Sequence, residues 1–153
     1  MNMVHDFQTL YEKYLNQVIA EIQQFSNNEQ LWQTVPGVIN TGGNLALHLS
    51  GNLQTFIGAV LGNSGYVRNR DAEFATKGLS IQEVCQLLDT AKAEVLSALE
   101  KITDAHLQTA YPIDKFGAEK TTGYVLLYLL GHLNYHLGQI NYIRRILSQS
   151  TNR

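Results

Sequence analysis

His132 and His136 stand four residues apart in the stretch GHLNYHLGQINYIRR, residues 131–145, of a chain with five histidines in all. If this stretch is helical, the two positions differ by about 40° around the axis and about 6 Å along it, so both rings share one face. An imidazole among leucines must find a polar partner or carry a desolvation penalty. Two imidazoles at this spacing are a common way of offering nitrogen ligands to a divalent metal. Two ligands alone hold a metal weakly, and a pair of hydrogen-bonded histidines fits the same spacing.

A third histidine shifts the balance. His48 is bracketed by Leu47 and Leu49, and Asn44, Asn52 and Thr55 continue a narrow polar stripe along its helical face. A polar stripe on an apolar helix needs something to face. The expected counterpart is the face of His132 and His136, which also carries Tyr128, Tyr135, Gln139 and Ile143. Three neutral imidazoles leave a coordination position open for water or a thiol, as in catalytic rather than closed structural sites. The alternative is that the three rings satisfy one another in a core without an ion. Tyr128 and Tyr135 read equally as proton donors and as packing residues with a polar tip.

The remaining chemistry-bearing residues read more simply. His5 in MNMVH and His106 in TDAHLQ are expected to be solvated, and Cys85 to be a small core residue. In GYVRNRDAEF, Arg68 and Arg70 are expected to form local ion pairs in a solvated loop with Asp71 and Glu73. Binding of a substrate or cofactor carboxylate by these arginines is the alternative. Gly42 and Gly43 would permit close packing or a turn rather than bind an anion. No Ser-His-Asp or Cys-His arrangement follows from the spacing, and GNSG lacks the context of a phosphate loop.

These residues need helices to hold them. Phe7, Leu10, Tyr11, Tyr14, Val18, Ile22 and Phe25 recur at three- and four-residue steps, predicting a helix over about 3–25. A second is expected over 42–62, a third over 80–102 and a fourth over 121–148. The third has the clearest start, a capping box of Ser80 and Glu83 with Leu79 able to staple onto Val84. LQTAYPI could form a short extended piece. Residues 64–79 exceed the usual connection between antiparallel helices and could return along the whole second helix, leaving helices two and three parallel. The arginines of this crossover would then pass over the end of the bundle. The expected architecture is an all-α four-helix bundle.

Bulk properties set the outer limits. A length of 153 residues with 44% hydrophobic and 16% charged residues suits one domain over 1–153 with a real core. A net charge of −2 and no basic block argue against nucleic acid. A single cysteine excludes an internal disulfide and fits a reducing compartment, so a cytoplasmic protein is expected. The first residues, MNMVHDFQTL, carry an acid where a signal peptide would be apolar. The densest apolar run, GYVLLYLLG at 123–131, falls short of the roughly 20 residues that cross a bilayer.

A histidine in the second helix followed by HLNYHLGQI on the last resembles the H…HxxxHxGQ arrangement of the DinB/YfiT-like superfamily of metal-dependent enzymes, over nearly the whole chain. GNLALHLSGNLQTFIGAVLG, YVRNRDAEF and YHLGQINYIRR resemble a subgroup of small bacterial DinB-like proteins. The resemblance implies an up-down-down-up bundle, often a homodimer. It implies a divalent ion, nickel or zinc, on His48, His132 and His136, with Gln139 orienting a ligand from behind. Leu137 departs from the arginine that many relatives carry there, which leaves any role of that charge unsupported. Relatives that use low-molecular-weight thiols such as bacillithiol or mycothiol imply a thiol-dependent transferase acting on a small molecule. Hydrolysis at the same centre is the neighbouring possibility. The alternative of another class is a non-catalytic bundle that binds a metal or small ligand as a dimer.

Overall fold

The computed structural model describes residues 2–150; the outermost limits of the expected domain, residues 1 and 151–153, lie outside the described residues. Six helices form: α1 (Met3–Gln23), α2 (Asn28–Leu31), α3 (Gly42–Leu53), α4 (Arg70–Ala75), α5 (Ile81–Glu100) and α6 (Thr122–Ser150). Their starts follow local chemistry. The side chains of Asn2, Asn27, Thr41, Asn69 and Ser80 each accept a hydrogen bond from a first-turn N–H. Ser80 and Glu83 complete a reciprocal capping box on α5. No strand occurs among the described residues. The LQTAYPI stretch makes a short 3₁₀ turn and one antiparallel bridge, Ala110 with Thr121.

Long-range contacts fix the helix directions. Tyr11 donates its hydroxyl to the Leu126 carbonyl at 2.6 Å, and Glu21 meets Asn141 and Arg144, so α1 and α6 advance together. Cys85 lies against Ile19 and Lys92 against Asn16, so α5 runs against α1. Ser50 meets Leu87 and Gln54 meets Glu94, which sets α3 alongside α5 in the same sense. The core fills with the apolar stripes of α1, α5 and α6, including Leu15, Ile22, Leu88, Leu99, Leu126 and Leu129.

Helix α3 is buried at every residue, which is unusual for one of four bundle helices. The reason is the 64–79 segment. It does not pass over the bundle end as expected but folds back along α3, with α4 packed on the outer face. Asn44 holds it there, donating from Nδ2 to the Glu73 and Thr76 carbonyls at 2.9 Å each, while Lys77 donates to its Oδ1. At the other end of α3, a Cβ on Gly42 would stand 2.5 Å from the Phe25 ring, and one on Gly43 2.6 Å from Trp32. Close packing is thus the use of both glycines.

Beyond Leu53 the helix widens into a π-helical turn, Gln54–Ala59, before ending near Gly62. Such turns re-aim side chains that a regular helix would place elsewhere. Here the Tyr111 hydroxyl donates to the Phe56 carbonyl at 2.6 Å, and the Phe56 ring stands 4.9 Å from that of Phe116. The 103–120 connection is thereby tied to the end of α3.

The Glu21–Arg144 pair, at 2.6 Å and 15% exposed on each side, carries a pH signature. Partial burial pushes the Glu21 carboxyl up, but hydrogen bonds from Arg144 and Asn141 outweigh it and hold the group below its ordinary value. A carboxyl depressed in the folded state stabilises above its unfolded pKa, and that contribution fades as pH falls through the folded value. Glu21→Gln should therefore lose about 1 kcal/mol at pH 7. In urea unfolding, the difference from the parent should shrink steadily below about pH 4, as the pair is titrated away.

Candidate metal centre

Three imidazoles converge between α3 and α6. His48 Nε2 lies 3.3 Å from His132 Nε2, which lies 3.1 Å from His136 Nε2. The ring of His48 stands 5.1 Å from each of the other two. Helix α6 fixes His132 and His136 relative to each other through their four-residue spacing. His48 joins them because α3 and α6 pack side by side in the bundle.

The outer nitrogens decide which lone pairs point inward. His48 Nδ1 lies 3.0 Å from a carboxylate oxygen of Glu73, and His136 Nδ1 lies 2.6 Å from the Gln139 side-chain oxygen. Both partners accept, so both Nδ1 atoms carry the proton and both Nε2 atoms present lone pairs. Arg68 Nη2 is 3.3 Å from His48 Nδ1 but is already engaged at 2.8 Å with the same Glu73 oxygen, so it does not reverse this assignment. His132 Nδ1 is buried with no hydrogen-bond partner. If its proton sits on Nε2, it can serve only one of the two facing lone pairs. If it sits on Nδ1, three lone pairs face one another.

A divalent cation resolves this arrangement. Two nitrogens each about 2.0–2.1 Å from one ion at a near-tetrahedral angle stand about 3.4 Å apart. The observed separations fit, and one ligand nitrogen from each of the three residues falls within a 4.8 Å cluster. All three rings are held neutral as well. Burial pushes His132 down to about 4, helped by His136, His48 and Arg68. Burial also lowers His48, against the opposing pull of Glu73, and His136, against the opposing bond to Gln139. Neutral imidazoles are the form that ligates a metal.

Glu73 is the participant that sequence reasoning missed. It is 6% exposed, receives Arg68 Nε at 2.6 Å and Nη2 at 2.8 Å as a two-pronged pair, and turns the second oxygen to His48. The expectation of a solvated loop with local ion pairs is thus corrected in one respect: Arg68 and Glu73 do pair, but at the buried face of the strap. A carboxylate behind a metal-ligating histidine is a common device for fixing the ring. The available signal was Asn69 capping RDAEFA, which would have placed a helix turn there. Nothing in the sequence said that this turn lies over His48. Gly51 makes the approach feasible, since a Cβ there would stand 2.1 Å from Glu73 Oε1.

The other candidates are placed as follows. Asn44 serves the α4 strap rather than the cluster. Asn52 lines a cavity of ≈ 440 Å³ beside the cluster, together with His48, His132 and Tyr128. Tyr128 is largely exposed and contacts Phe116 at 5.4 Å, and Tyr135 is exposed with its ring 5.2 Å from His136. Arg70 is exposed, over the Phe74 ring at 5.3 Å. His5 and His106 are exposed and stand outside the cluster, His106 accepting from Thr103 N, and Cys85 is buried.

A family model described as "Protein of unknown function (DUF1572)" matches residues 2–153. Among solved structures, the chain is similar to the crystal structure of a DinB-like protein from Bacillus cereus ATCC 10987. The TM-score is 0.71 and the sequence identity 19%, covering 93% of this chain and 91% of that one. At that identity the likeness carries the fold: the architecture is DinB-like and all-α. No curated protein matches the chain. No helix among the described residues is long and apolar enough to cross a membrane.

Proposed function

Since this chain belongs to the DUF1572 family, we propose from the geometry of its own site that it is a metal-dependent enzyme holding one divalent ion on His48, His132 and His136. The observation that carries the reading is the inward convergence of three Nε2 atoms whose outer nitrogens are fixed by Glu73 and Gln139 or left unpartnered. Nickel or zinc suits a three-imidazole donor set. Such an ion lowers the pKa of a thiol or of water brought to it, supplying a nucleophile near neutral pH. The protein's share is positional. Glu73 and Gln139 lock the tautomers and ring planes of His48 and His136, and Arg68 holds Glu73 in place. The adjoining cavity admits a small molecule from the side of His48 and His132.

Transfer of a low-molecular-weight thiol to a small electrophile is the favoured reaction class, with hydrolysis second. Elemental analysis of protein purified without chelator should give about one ion per chain. Thiol-conjugation and ester or amide assays before and after metal removal then test the chemistry. A metal-loaded protein with no turnover in either assay would remove the enzymatic reading and leave a binding bundle. That second reading has one observation in its favour. The outer face of α6 exposes Tyr124, Leu127, Tyr128, Tyr135, Tyr142 and Ile146, a stripe suited to a second copy of the chain. Light scattering should then report a homodimer, and Tyr135→Glu with Tyr142→Glu should dissociate it.

A further inference from the structure

The cavity beside the cluster is asymmetric in charge. Arg68, Arg70 and Lys115 all line it, and no acidic side chain does. Arg68 is neutralised by Glu73. Arg70 and Lys115 have no carboxylate within ion-pair distance among the described residues. Two unneutralised cations on one small recess attract anions and repel cations. They come from separate parts of the chain, Arg70 from the strap over α3 and Lys115 from the connection before α6.

The rest of the wall is apolar and aromatic. Phe116 packs edge-on between Phe56, at 4.9 Å, and Tyr128, at 5.4 Å. One polar group breaks this surface. Asn52 is 8% exposed, and its Oδ1 is buried with no hydrogen-bond partner. A buried acceptor without a donor is rare in a folded protein unless a ligand or water completes it. A volume of ≈ 440 Å³ is within the range of small-molecule sites.

We propose that this cavity binds a small organic anion with a flat apolar body and a hydrogen-bond donor. The anionic group lies between Arg70 and Lys115, the body against Phe56, Phe116 and Tyr128, and the donor toward Asn52. The proposal rests on the metal-dependent reading only in taking this ligand as the substrate; the binding itself needs no ion. It narrows the substrate class to molecules that bring their own negative charge to the side of His48 and His132.

The test is titration of the full chain, stripped of metal with chelator, with mandelate and with its neutral analogue mandelamide. Mandelate should bind at least about tenfold more tightly, the range expected for hydrogen bonds to a charged group. Its affinity should fall as salt is raised. Arg70→Gln with Lys115→Gln should abolish the preference, and because both side chains are exposed the melting curve should not move. Equal binding of the two probes, or an unchanged preference in the double variant, overturns the proposal. If mandelate discriminates while elemental analysis finds no metal, the cavity stands and the metal reading falls. If metal loads normally and the probes do not discriminate, the reverse holds.

Discussion

His132→Ala is expected to empty the metal site. Structural zinc sites are worth roughly 10–16 kcal/mol over four ligands, or about 3–4 kcal/mol for each. Losing one of three imidazoles should therefore weaken binding by about 10²–10³-fold, enough for the ion to be lost on dialysis. His132 is the ligand to choose because its removal leaves no buried partner stranded: its Nδ1 has none. The stripped variant should be as stable as the stripped parent, or more so, since a desolvated imidazole has gone. Added nickel or zinc at about a thousand times Kd should stabilise the parent by about 4 kcal/mol and leave the variant unmoved. A parent whose melting temperature ignores both ions would end the metal reading, whatever the variant does.

Glu73→Ala should be the most damaging single change outside the histidines. It strands the Arg68 guanidinium, 16% exposed, against His48, and an unpaired charge at a buried site costs about 3–5 kcal/mol. It also frees the His48 ring, which should weaken metal binding by about 10–100-fold. Stability and positioning can be separated. Replacing both partners, Arg68→Met with Glu73→Leu, removes the stranded charge and should restore most of the lost stability. The metal affinity should remain depressed, because no acceptor then orients His48. If the double variant binds metal as tightly as the parent, Glu73 is part of the fold and not of the site. Gly51→Val offers a milder route to the same place, since its side chain would displace the Glu73 carboxylate without removing it.

What could be read from the chain alone was whatever depends on neighbours in sequence. The stripes of α1 and α5 are spaced by the helical repeat itself, and the Ser80–Glu83 box closes within one turn, so both appear at the expected positions. His132 and His136 share a face for the same reason: one helix holds both, and their spacing is a property of its geometry. Gln139, three residues beyond His136, reaches its Nδ1 within the same turn. Each of these is a short-range fact that no tertiary contact needs to supply.

Tertiary packing decided the remainder. His48 meets its partners only because α3 lies beside α6, a juxtaposition of residues 84 positions apart. The polar stripe on α3 pointed to a missing counterpart, but it could not say that Asn44 would face the returning strap while His48 faced both strap and cluster. Glu73 and Arg68 looked like any surface pair, because burial is a property of what lies on top of a residue and not of the residue. The π turn after Leu53 and the tie from Tyr111 to Phe56 likewise set where Phe116 and Lys115 stand. Local periodicity thus determined the helices and the two-histidine face. The third ligand, the carboxylate behind it and the charged cavity arose only when separate helices and connections were folded against one another, since no short-range term in the chain encodes their distance.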